Sequence, residues 1–574
     1  MREDWRIYAK KADFAALAKE FDIDPVVARV IRNRDYITSD DYRTYLFGDM
    51  SCLHNPMLLP DIEKALVLLC DALESGTAVK IIGDYDIDGI CSVVILYSAM
   101  SMLGFKVGYD VPDRMKDGYG INKRLIDKAH KEGYGMIVTC DNGIAAFNEI
   151  IYAKELGMKV LVTDHHEPPV EEIEGTVKQM IVSADAVVDP KIDGSTYPFS
   201  EICGAVVAMK VMQALCLRLG REFDDSLLEY GAIATIGDIM PLRDENRVIV
   251  KEGFKRIANS QHKALMTLIG AVGVDPTRIT AYDVGFRIGP CLNSSGRLKN
   301  AMYAIDMLLS DDEAKASDIA LYLTELNEDR KDMTVDGFNL GCEILERDHP
   351  NDKVQVLYIP GIHESVAGIV AGRIKDKYNH PVITFTDSTE EGVIKGSARS
   401  IEAYDMFLNL SHHKELFIKF GGHSMAAGIS MKKDLLDELR SALNSDCELT
   451  DTDFVKKVWI DSMLPFGYIS EKLISDIEKL EPFGFGNSRP VFAEKNVIVR
   501  DIRIVGKNMN VAKLKLMGSD GRVYSGVCFD KDAFEKVAIG DSLNIIFRPQ
   551  INEYNGVRSI EIVVDKIYPK NVKK

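Results

Sequence analysis

At 574 residues, with 46% hydrophobic and 28% charged residues, the chain is too long for one hydrophobic core and has the composition of a globular protein of roughly two to four domains. Its net charge of −18 excludes a general basic coat for nucleic acid, so a polyanion would need a locally basic groove. It has no apolar run of about 20 residues, which excludes a membrane span. Its ten cysteines form no Cys-x-x-Cys pair. We therefore expect a cytoplasmic protein without disulfides or a cysteine zinc site.

The first part of the chain, residues 1–75, is predicted to be a helical lead-in. Its segments "DPVVARVIRNR" and "PDIEKALVLLCDAL" show helical apolar spacing. From 76 to 310, short apolar strands such as "AVKIIGDYD", "YGMIVTCDNG" and "KVLVTDHHEPP" alternate with amphipathic helices. This alternation predicts βαβ units and a parallel sheet, whose ligands bind at the carboxyl ends of the strands.

The second half predicts three further parts. A proline-free span from 311 to 348 indicates a connecting helix of roughly 50 Å. Residues 349–450 indicate a smaller α/β domain that ends near "GGHSMAAGIS". From 451 to 574, five β-rich segments and an Asn555-Gly556 hairpin signal favour a small barrel of the OB type, a frequent single-strand binder, over a β-sandwich. The tail "PKNVKK" is expected to be disordered.

Three carboxylates stand within five residues in "GDYDIDG", directly after a predicted strand. Residues two apart on an extended segment point to the same side, so Asp84, Asp86 and Asp88 face one small volume. Like charges this close raise each other's pKa values unless a cation sits between them. The alternative is an ordinary acidic surface turn.

Further carboxylates and two imidazoles follow at other strand or loop ends, although a single Asp there could instead cap a helix. They are Asp141, Asp164, His165, His166 and Asp238. Together with the first cluster they form a ligand set for Mn²⁺ or Mg²⁺. Bridging carboxylates imply two ions, a geometry that clamps the attacking and leaving oxygens of a phosphoryl transfer.

The motifs "GDYDIDG", "DNG", "DHH" and "GDIMPL", in this order, resemble the four motifs of the DHH phosphoesterase superfamily, and "GGHSMAAG" resembles its DHHA1 domain. "VPDRMKDGYGIN", "RIGPCLNSSGRL", "HESVAGIVAGRI", "KGSARS" and "LEPFGFGNSRPVF" are similar to segments of the RecJ family of bacterial exonucleases. The resemblance implies a metal-dependent 5′→3′ exonuclease that degrades single-stranded DNA to mononucleotides in repair and recombination. It also implies single-strand-binding protein and a helicase as partners.

The resemblance carries roles to particular positions. The implied metal ligands are Asp86, Asp88, Asp141, His165 and Asp238, with Asp84 as a further candidate. His166 is assigned to the scissile phosphate and Asp164 to orienting an imidazole. Related proteins have a histidine just before the first motif where this chain has Ile82, which leaves the coordination of one metal open.

Substrate binding is assigned mainly to groups that bind phosphate. Gly421 and Gly422 allow close backbone approach, and His423 can hydrogen-bond a phosphate oxygen; the alternative for "FGGHS" is a tight turn. The remaining candidates for the 5′-phosphate pocket and its surroundings are Arg114, Tyr119, Arg287, Asn293, Ser397 and Arg399. Each arginine could instead form a structural ion pair, and Tyr119 could stack on a base or merely pack.

Other functions share parts of this pattern. A DHH-type phosphodiesterase acting on short oligonucleotides, RNA or cyclic dinucleotides has the same metal centre, but usually lacks the β-rich C-terminal part. A catalytically inactive scaffold would have lost acidic motifs, and all four are intact here. An inorganic pyrophosphatase would not need the barrel. The sequence does not choose between Mn²⁺ and Mg²⁺ or fix the oligomeric state.

Overall fold

The computed structural model describes residues 3–114, 116–173, 175–506, 509–554 and 556–569. The helices are α1 (Phe14–Phe21), α2 (Pro25–Asn33), α3 (Ser39–Phe47), α4 (Ile62–Ser75), α5 (Ile87–Leu103), α6 (Lys123–Lys131), α7 (Phe147–Glu155), α8 (Gly204–Leu219), α9 (Leu228–Gly237), α10 (Asp244–Ile257), α11 (Lys263–Ala271), α12 (Ala281–Asp283), α13 (Gly289–Leu298), α14 (Met302–Leu308), α15 (Glu313–Asp348), α16 (Glu364–Tyr378), α17 (Met406–Ser411), α18 (Leu436–Ser445), α19 (Glu471–Glu478) and α20 (Lys531–Phe534). The strands are β1 (Glu3–Ile7), β2 (Val79–Ile82), β3 (Val107–Asp110), β4 (Met136–Cys140), β5 (Lys159–Thr163), β6 (Val170–Ile173), β7 (Thr176–Gln179), β8 (Ala186–Val188), β9 (Gln355–Tyr358), β10 (Val382–Asp387), β11 (Val393–Arg399), β12 (Phe417–His423), β13 (Ala426–Lys432), β14 (Lys456–Ile460), β15 (Ser462–Met463), β16 (Phe492–Val505), β17 (Val511–Met517), β18 (Val523–Cys528), β19 (Ser542–Tyr554) and β20 (Val557–Pro569).

The chain divides into two compact units. Unit 1 takes in 55–238 and 255–456 together with the first residues of the chain, and unit 2 takes in 5–54, 239–254 and the chain from 457 onward. The helices predicted in the lead-in are present, but the chain begins with a strand, β1, which pairs with β14. That strand was not predicted from the sequence. The boundaries at 75, 310, 348 and 450 stay a prediction.

Unit 1 contains the predicted parallel sheet, in the order β3-β2-β4-β5-β8. All of its neighbouring strands run parallel. Every residue of β2 and β4 is buried, as expected for strands covered on both faces by helices. Helices α5, α8 and α9 pack against one another. The acidic motifs therefore follow buried, fixed strands.

The second sheet of unit 1 has the order β12-β13-β11-β10-β9, in which only β9 and β10 run parallel. The predicted long helix is α15, whose 36 residues span about 54 Å. Helix α15 packs against α11 and α13, which precede it in the chain, and against α16, which follows it. The prediction of a long helix leading into a smaller α/β part is confirmed.

Unit 2 contains a closed barrel, with the order β16-β17-β18-β20-β19 and a further pairing of β16 with β19. The β18–β20 pair is parallel and the others are antiparallel, which is the arrangement of an OB barrel and not of a sandwich. Its core joins Phe492 and Phe547 of the barrel to Val27, Ile31 and Tyr42 of the N-terminal helices. Asn555 of the predicted hairpin turn and residues 570–574 of the predicted disordered tail lie outside the described residues.

Candidate metal centre and adjoining phosphate cavity

The acidic motifs meet at the carboxyl edge of the parallel sheet of unit 1. Asp84 follows β2, Asp141 follows β4 and Asp164 follows β5. Because β2, β4 and β5 are parallel neighbours, their carboxyl ends lie side by side. Asp238 directly follows α9, which packs against α5, so its carboxylate reaches the same place.

His165 lies at the centre of this cluster and is 4% exposed. Its Nε2 is 3.2 Å from Oδ1 of Asp141, 3.5 Å from Oδ2 of Asp88 and 3.7 Å from Oδ2 of Asp238. Burial, together with the charge of His166, lowers the pKa of His165 to about 3. The imidazole is therefore neutral, the form that binds a metal.

Asp88 has a second contact, with the start of α8. Its two carboxylate oxygens accept hydrogen bonds from the main-chain N–H groups of Gly204 and Ala205, at 2.7 and 2.8 Å. Gly204 also packs directly on Asp141, because a Cβ at this position would lie 2.6 Å from Cβ of Asp141. The N-terminus of α8 thus supplies positive partial charge to the cluster and must begin with glycine.

His166 and Asp164 form a separate ion pair beside the centre. Nδ1 of His166 lies 2.8 Å from Oδ1 of Asp164, which also accepts from the main-chain N–H of His165. Burial alone would raise the pKa of Asp164, but the hydrogen bond and charge of His166 hold it below its ordinary value. Burial also opposes the charge on His166, yet the bond to Asp164 raises the pKa of His166 to about 9. His166 is therefore cationic and half exposed.

The residues present fit a divalent cation. Among the described residues, Oδ2 of Asp84 and Oδ2 of Asp238 are buried without a hydrogen-bond partner. Burial and then the charge of Asp86 raise the pKa values of Asp84 and Asp88, the latter to about 6, and burial with the charges of Asp88 and Asp86 raises that of Asp238 to about 8. Such repulsion among buried carboxylates is relieved by a cation between them.

Ligand atoms come together in two groups, each within 4.8 Å. These are Asp141 with His165 and His166, and Asp88 with His165 and Asp238. Asp86 lies outside both groups, since its Oδ1 caps α5 by accepting from the main-chain N–H groups of Asp88 and Gly89, both at 3.1 Å. Capping, which the sequence left as an alternative for these acids, is thus one role of Asp86. Its role as a ligand stays a prediction.

Ile82 offers no ligand to the centre. Its side chain is fully buried in the core between the sheet and its helices, beside Ile137 and Val160. This position, for which the resemblance implied a histidine in related proteins, therefore contributes packing here, and its effect on metal coordination stays open.

A cavity of about 340 Å³ in unit 1 adjoins the acidic loop. Tyr85, which stands between Asp84 and Asp86, lines it together with Arg114, Ser397 and Gly421. The guanidinium of Arg114 lies 5.0 Å from the ring of Tyr85. A Cβ at Gly421 would meet no atom within 4 Å, so this glycine opens directly onto the cavity.

The floor of the cavity is one face of the second sheet. Along β11, Lys395, Ser397 and Arg399 alternate onto the same face. They stand opposite Ser430, Gly428 and Ala426 of β13, which in turn stand opposite Lys419, Gly421 and His423 of β12. The result is a floor of small residues between cationic side chains.

Arg297 is a cationic residue near the cavity that was not predicted from the sequence, and the role of Arg287 in substrate binding stays a prediction. Arg287 is half exposed, lies 3.4 Å from Asp283 and does not line the cavity. Arg297 is buried beside Arg114: burial and then the charges of Arg114 and Arg330 lower the pKa of Arg297 to about 10. Its guanidinium donates a 3.0 Å hydrogen bond to the carbonyl of Ser365, a cavity-lining residue. In the described part of the chain, none of Arg114, Arg297, Arg399 and Lys419 forms an ion pair with a carboxylate.

Three other predicted residues have structural contacts. Gly422 is required by the β12–β13 hairpin, since a Cβ there would lie 2.3 Å from the carbonyl oxygen of Ala426, and Nδ1 of His423 accepts from the main-chain N–H of Met425 in the same turn. Tyr119 donates a 2.6 Å hydrogen bond to the carbonyl of Asp141. Their roles in substrate binding stay predictions.

Asn293 was predicted to bind substrate, but its described contact is with the acidic loop. Its Oδ1 accepts a 2.8 Å hydrogen bond from the main-chain N–H of Ile87, which lies between Asp86 and Asp88. This contact was not visible in the sequence. The contact holds the acidic loop, and the role of Asn293 in substrate binding stays a prediction.

Three family models match the chain: the DHH family N-terminal domain over 78–235, the DHHA1 domain over 351–448 and the RecJ OB domain over 460–566. Together with the carboxylate–imidazole cluster, these matches define a phosphoesterase of the DHH–DHHA1 class.

The single-stranded-DNA-specific exonuclease RecJ of Bacillus subtilis is 32% identical over 98% of this chain and 70% of its own length. The protein of the same name from Haemophilus influenzae is 33% identical over 95% of this chain and 96% of its own. The chain belongs to the RecJ family.

Two solved structures show the same fold. RecJ of Thermus thermophilus in complex with Mn²⁺ has a TM-score of 0.84 and 26% identity, covering 99% of this chain and 80% of that one. The same protein in complex with Mg²⁺ gives a TM-score of 0.78 at 25% identity, over 99% and 78%. In the described part of this chain, no helix is long and apolar enough to span a membrane.

Proposed function

We propose that this protein is a metal-dependent exonuclease that degrades single-stranded DNA from its 5′ end to mononucleotides. The observation that carries the proposal is the position of Tyr85, which joins the carboxylate–imidazole cluster to a cavity lined by cations. Lys395 of this lining pairs with Glu364 at 2.9 Å, whereas Arg114 and Lys419 have no carboxylate partner among the described residues. A terminal phosphate held by those cations would place the next phosphodiester at the cluster. The relatives' activity on single-stranded DNA and the metal-bound relatives support this assignment.

Two divalent cations, Mn²⁺ or Mg²⁺, would be held by Asp84, Asp86, Asp88, Asp141, His165 and Asp238. Bound cations of this kind lower the pKa of water and neutralise charge on phosphoryl oxygens. His166, which is cationic and half exposed, donates a hydrogen bond to an oxygen of the scissile phosphate. Asp164 fixes the ring of His166 and maintains its charge.

The cavity determines the direction in which the strand is degraded. Arg114, Arg297 and Arg399 bind the 5′-phosphate through charge-assisted hydrogen bonds, and Ser397 adds a hydroxyl. The glycine at 421 lets the terminal nucleotide approach the sheet. Because this anchor recognises an end, cleavage proceeds from the 5′ terminus.

The cellular setting follows from the family and from the cysteines. All ten cysteines are free thiols, which supports a reducing, cytoplasmic location. Roles in DNA repair and recombination, with single-strand-binding protein and a helicase as partners, remain proposals from the resemblance.

The experiment follows degradation of a 5′-phosphorylated single-stranded DNA oligonucleotide with Mn²⁺. Parallel samples contain a strand with only a 3′-phosphate, the same strand in RNA, and a blunt duplex. Asp141→Ala should abolish turnover, whereas Asp193→Ala, at an exposed carboxylate of the same unit, should leave it unchanged. Release of mononucleotides from the 5′ end of single-stranded DNA is the expected result. Turnover of di- or trinucleotides alone, or of RNA alone, would contradict the proposal and support the other phosphodiesterases.

A further inference from the structure

An exposed pair of stacked aromatic rings lies on unit 1 outside the site described above. Tyr282 and Phe286 are 64% and 66% exposed, with ring centroids 4.8 Å apart and an interplanar angle of 24°. Single exposed apolar side chains are common on proteins and need no explanation. Two large rings that stack on each other and still face solvent instead form a continuous flat apolar surface.

The helical turn that carries the ring pair lies close to the metal centre at two glycines. The Cβ position of Gly285 lies 3.9 Å from Ile236, two residues before Asp238. That of Gly289 lies 3.0 Å from Ile87, between Asp86 and Asp88. Phe286 stands between these two glycines, so its ring emerges within about one helical turn of contacts to both sides of the carboxylate cluster.

The backbone here is also unusual. Val284–Ile288 forms a π-helical turn between α12 and α13, and such turns are frequent at functional sites. A Cβ at Gly289 would lie 2.8 Å from the carbonyl oxygen of Val284, so glycine at this position permits the turn. The same helical stretch continues to Arg297, which donates a hydrogen bond to the cavity-lining Ser365 and lies 11 residues and about 16 Å beyond Phe286.

The charges beside the rings belong to one ion pair. Asp283 is the acidic residue within this turn, and its Oδ2 accepts from the main-chain N–H and the hydroxyl of Thr280, at 3.1 and 2.6 Å. Its Oδ1 lies 3.4 Å from Arg287, whose side chain is half exposed. The carboxylate is thus occupied by a helix cap, and a cationic side chain stands beside Phe286.

We propose that Tyr282 and Phe286 form a nucleobase-stacking site for the single strand on the 3′ side of the scissile phosphate. The inference rests on the proposed function, which places the 5′ end at Arg297 and the scissile bond at the carboxylates. A strand held at those two points continues past the rings at the other end of the same helical stretch. Stacking on aromatic rings accepts any base, which suits an enzyme that must process every sequence.

The test compares wild-type protein with the double variant Tyr282→Ala/Phe286→Ala. For a long single strand, KM and the dissociation constant should rise about tenfold or more, while kcat/KM for a trinucleotide stays unchanged. Phe286→Trp in the presence of Tyr282 should retain tight binding. Tyr303→Ala, which removes another exposed ring of unit 1, should behave as wild type.

A strand whose bases are replaced by abasic residues beyond the first three nucleotides identifies the interaction. Wild-type and double-variant proteins should bind this strand equally weakly. Equal affinity of both proteins for the natural strand would overturn the stacking site. So would an affinity difference between the two proteins that is as large on the abasic strand as on the natural strand. If wild-type protein degrades nothing, the proposed function fails, and the binding measurements still decide the stacking site.

Discussion

Replacing Arg297 by alanine tests the phosphate cavity most directly. Arg297 is buried among Arg114, Arg330 and Ser365 and has no carboxylate partner in the described structure. A hydrogen bond between a cation and a phosphate contributes about 1.5–3 kcal/mol, but removing Arg297 also relieves its repulsion of Arg114. The lower half of that range is therefore expected, which corresponds to a loss of about 10- to 40-fold in preference for a 5′-phosphate.

The assay is the ratio of kcat/KM for 5′-phosphorylated and 5′-hydroxyl strands of the same sequence. Taking this ratio cancels any general loss of activity or of folded protein. Arg287→Ala is the matched control, because Arg287 has the same side chain and lies on the same helical stretch but is half exposed and pairs with Asp283. An equal loss on both strands for Arg297→Ala, or a lost preference in Arg287→Ala, would refute this assignment of the 5′-phosphate.

Three further predictions concern the support of the site. Burial raises the pKa of Glu229 from its ordinary value of 4.5 to about 7. The stability that the bound proton confers on the fold is therefore fully present below pH 4.5 and is lost as the pH rises through about 7. The free energy of unfolding of Glu229→Gln should therefore exceed that of wild type by about 1–2 kcal/mol at about pH 8, after allowance for solvent screening, and by little at about pH 5. Thermal melting at both pH values measures this difference, and an absent or reversed difference would contradict the prediction. Gly204→Ala should lower the melting temperature and activity, since its Cβ meets Asp141, whereas Gly270→Ala, with open space around its Cβ, should do neither. Asn293→Ala should raise the Mn²⁺ concentration needed for half-maximal activity several-fold by releasing the acidic loop, and an unchanged metal titration would contradict that role.

The sequence predicted the elements that local patterns determine. The buried strands β2, β4 and β5, the long helix α15 and the five barrel strands all have clear periodicity and were predicted correctly. Strand β1 was missed because "EDWRI" has no decisive alternation, and its partner β14 lies about 450 residues away in the chain. A pairing so distant leaves no local signal.

The candidate site shows the same limit. Parallel topology brings Asp141 and His165 together, because strand ends are fixed by the sheet, and Asp238 reaches His165 from the end of α9. Residue type could not separate Arg287 from Arg297, since only burial and neighbouring charge distinguish them. The bond from the main chain of the acidic loop to Asn293 likewise connects distant segments. Residues at the strand ends of the sheet could thus be placed from the sequence, whereas contacts between distant segments could not.

The shared core of unit 2 has a consequence for synthesis of the protein. Helices α1–α3 leave the ribosome first, yet Val27, Ile31 and Tyr42 are buried with Phe492 and Phe547, which are made last. About 450 residues separate Tyr42 from Phe492, and at about 5–20 residues per second translation between them takes about 20–90 s. During that interval the apolar faces of the first helices have no native partner, and a truncated product cannot complete this core.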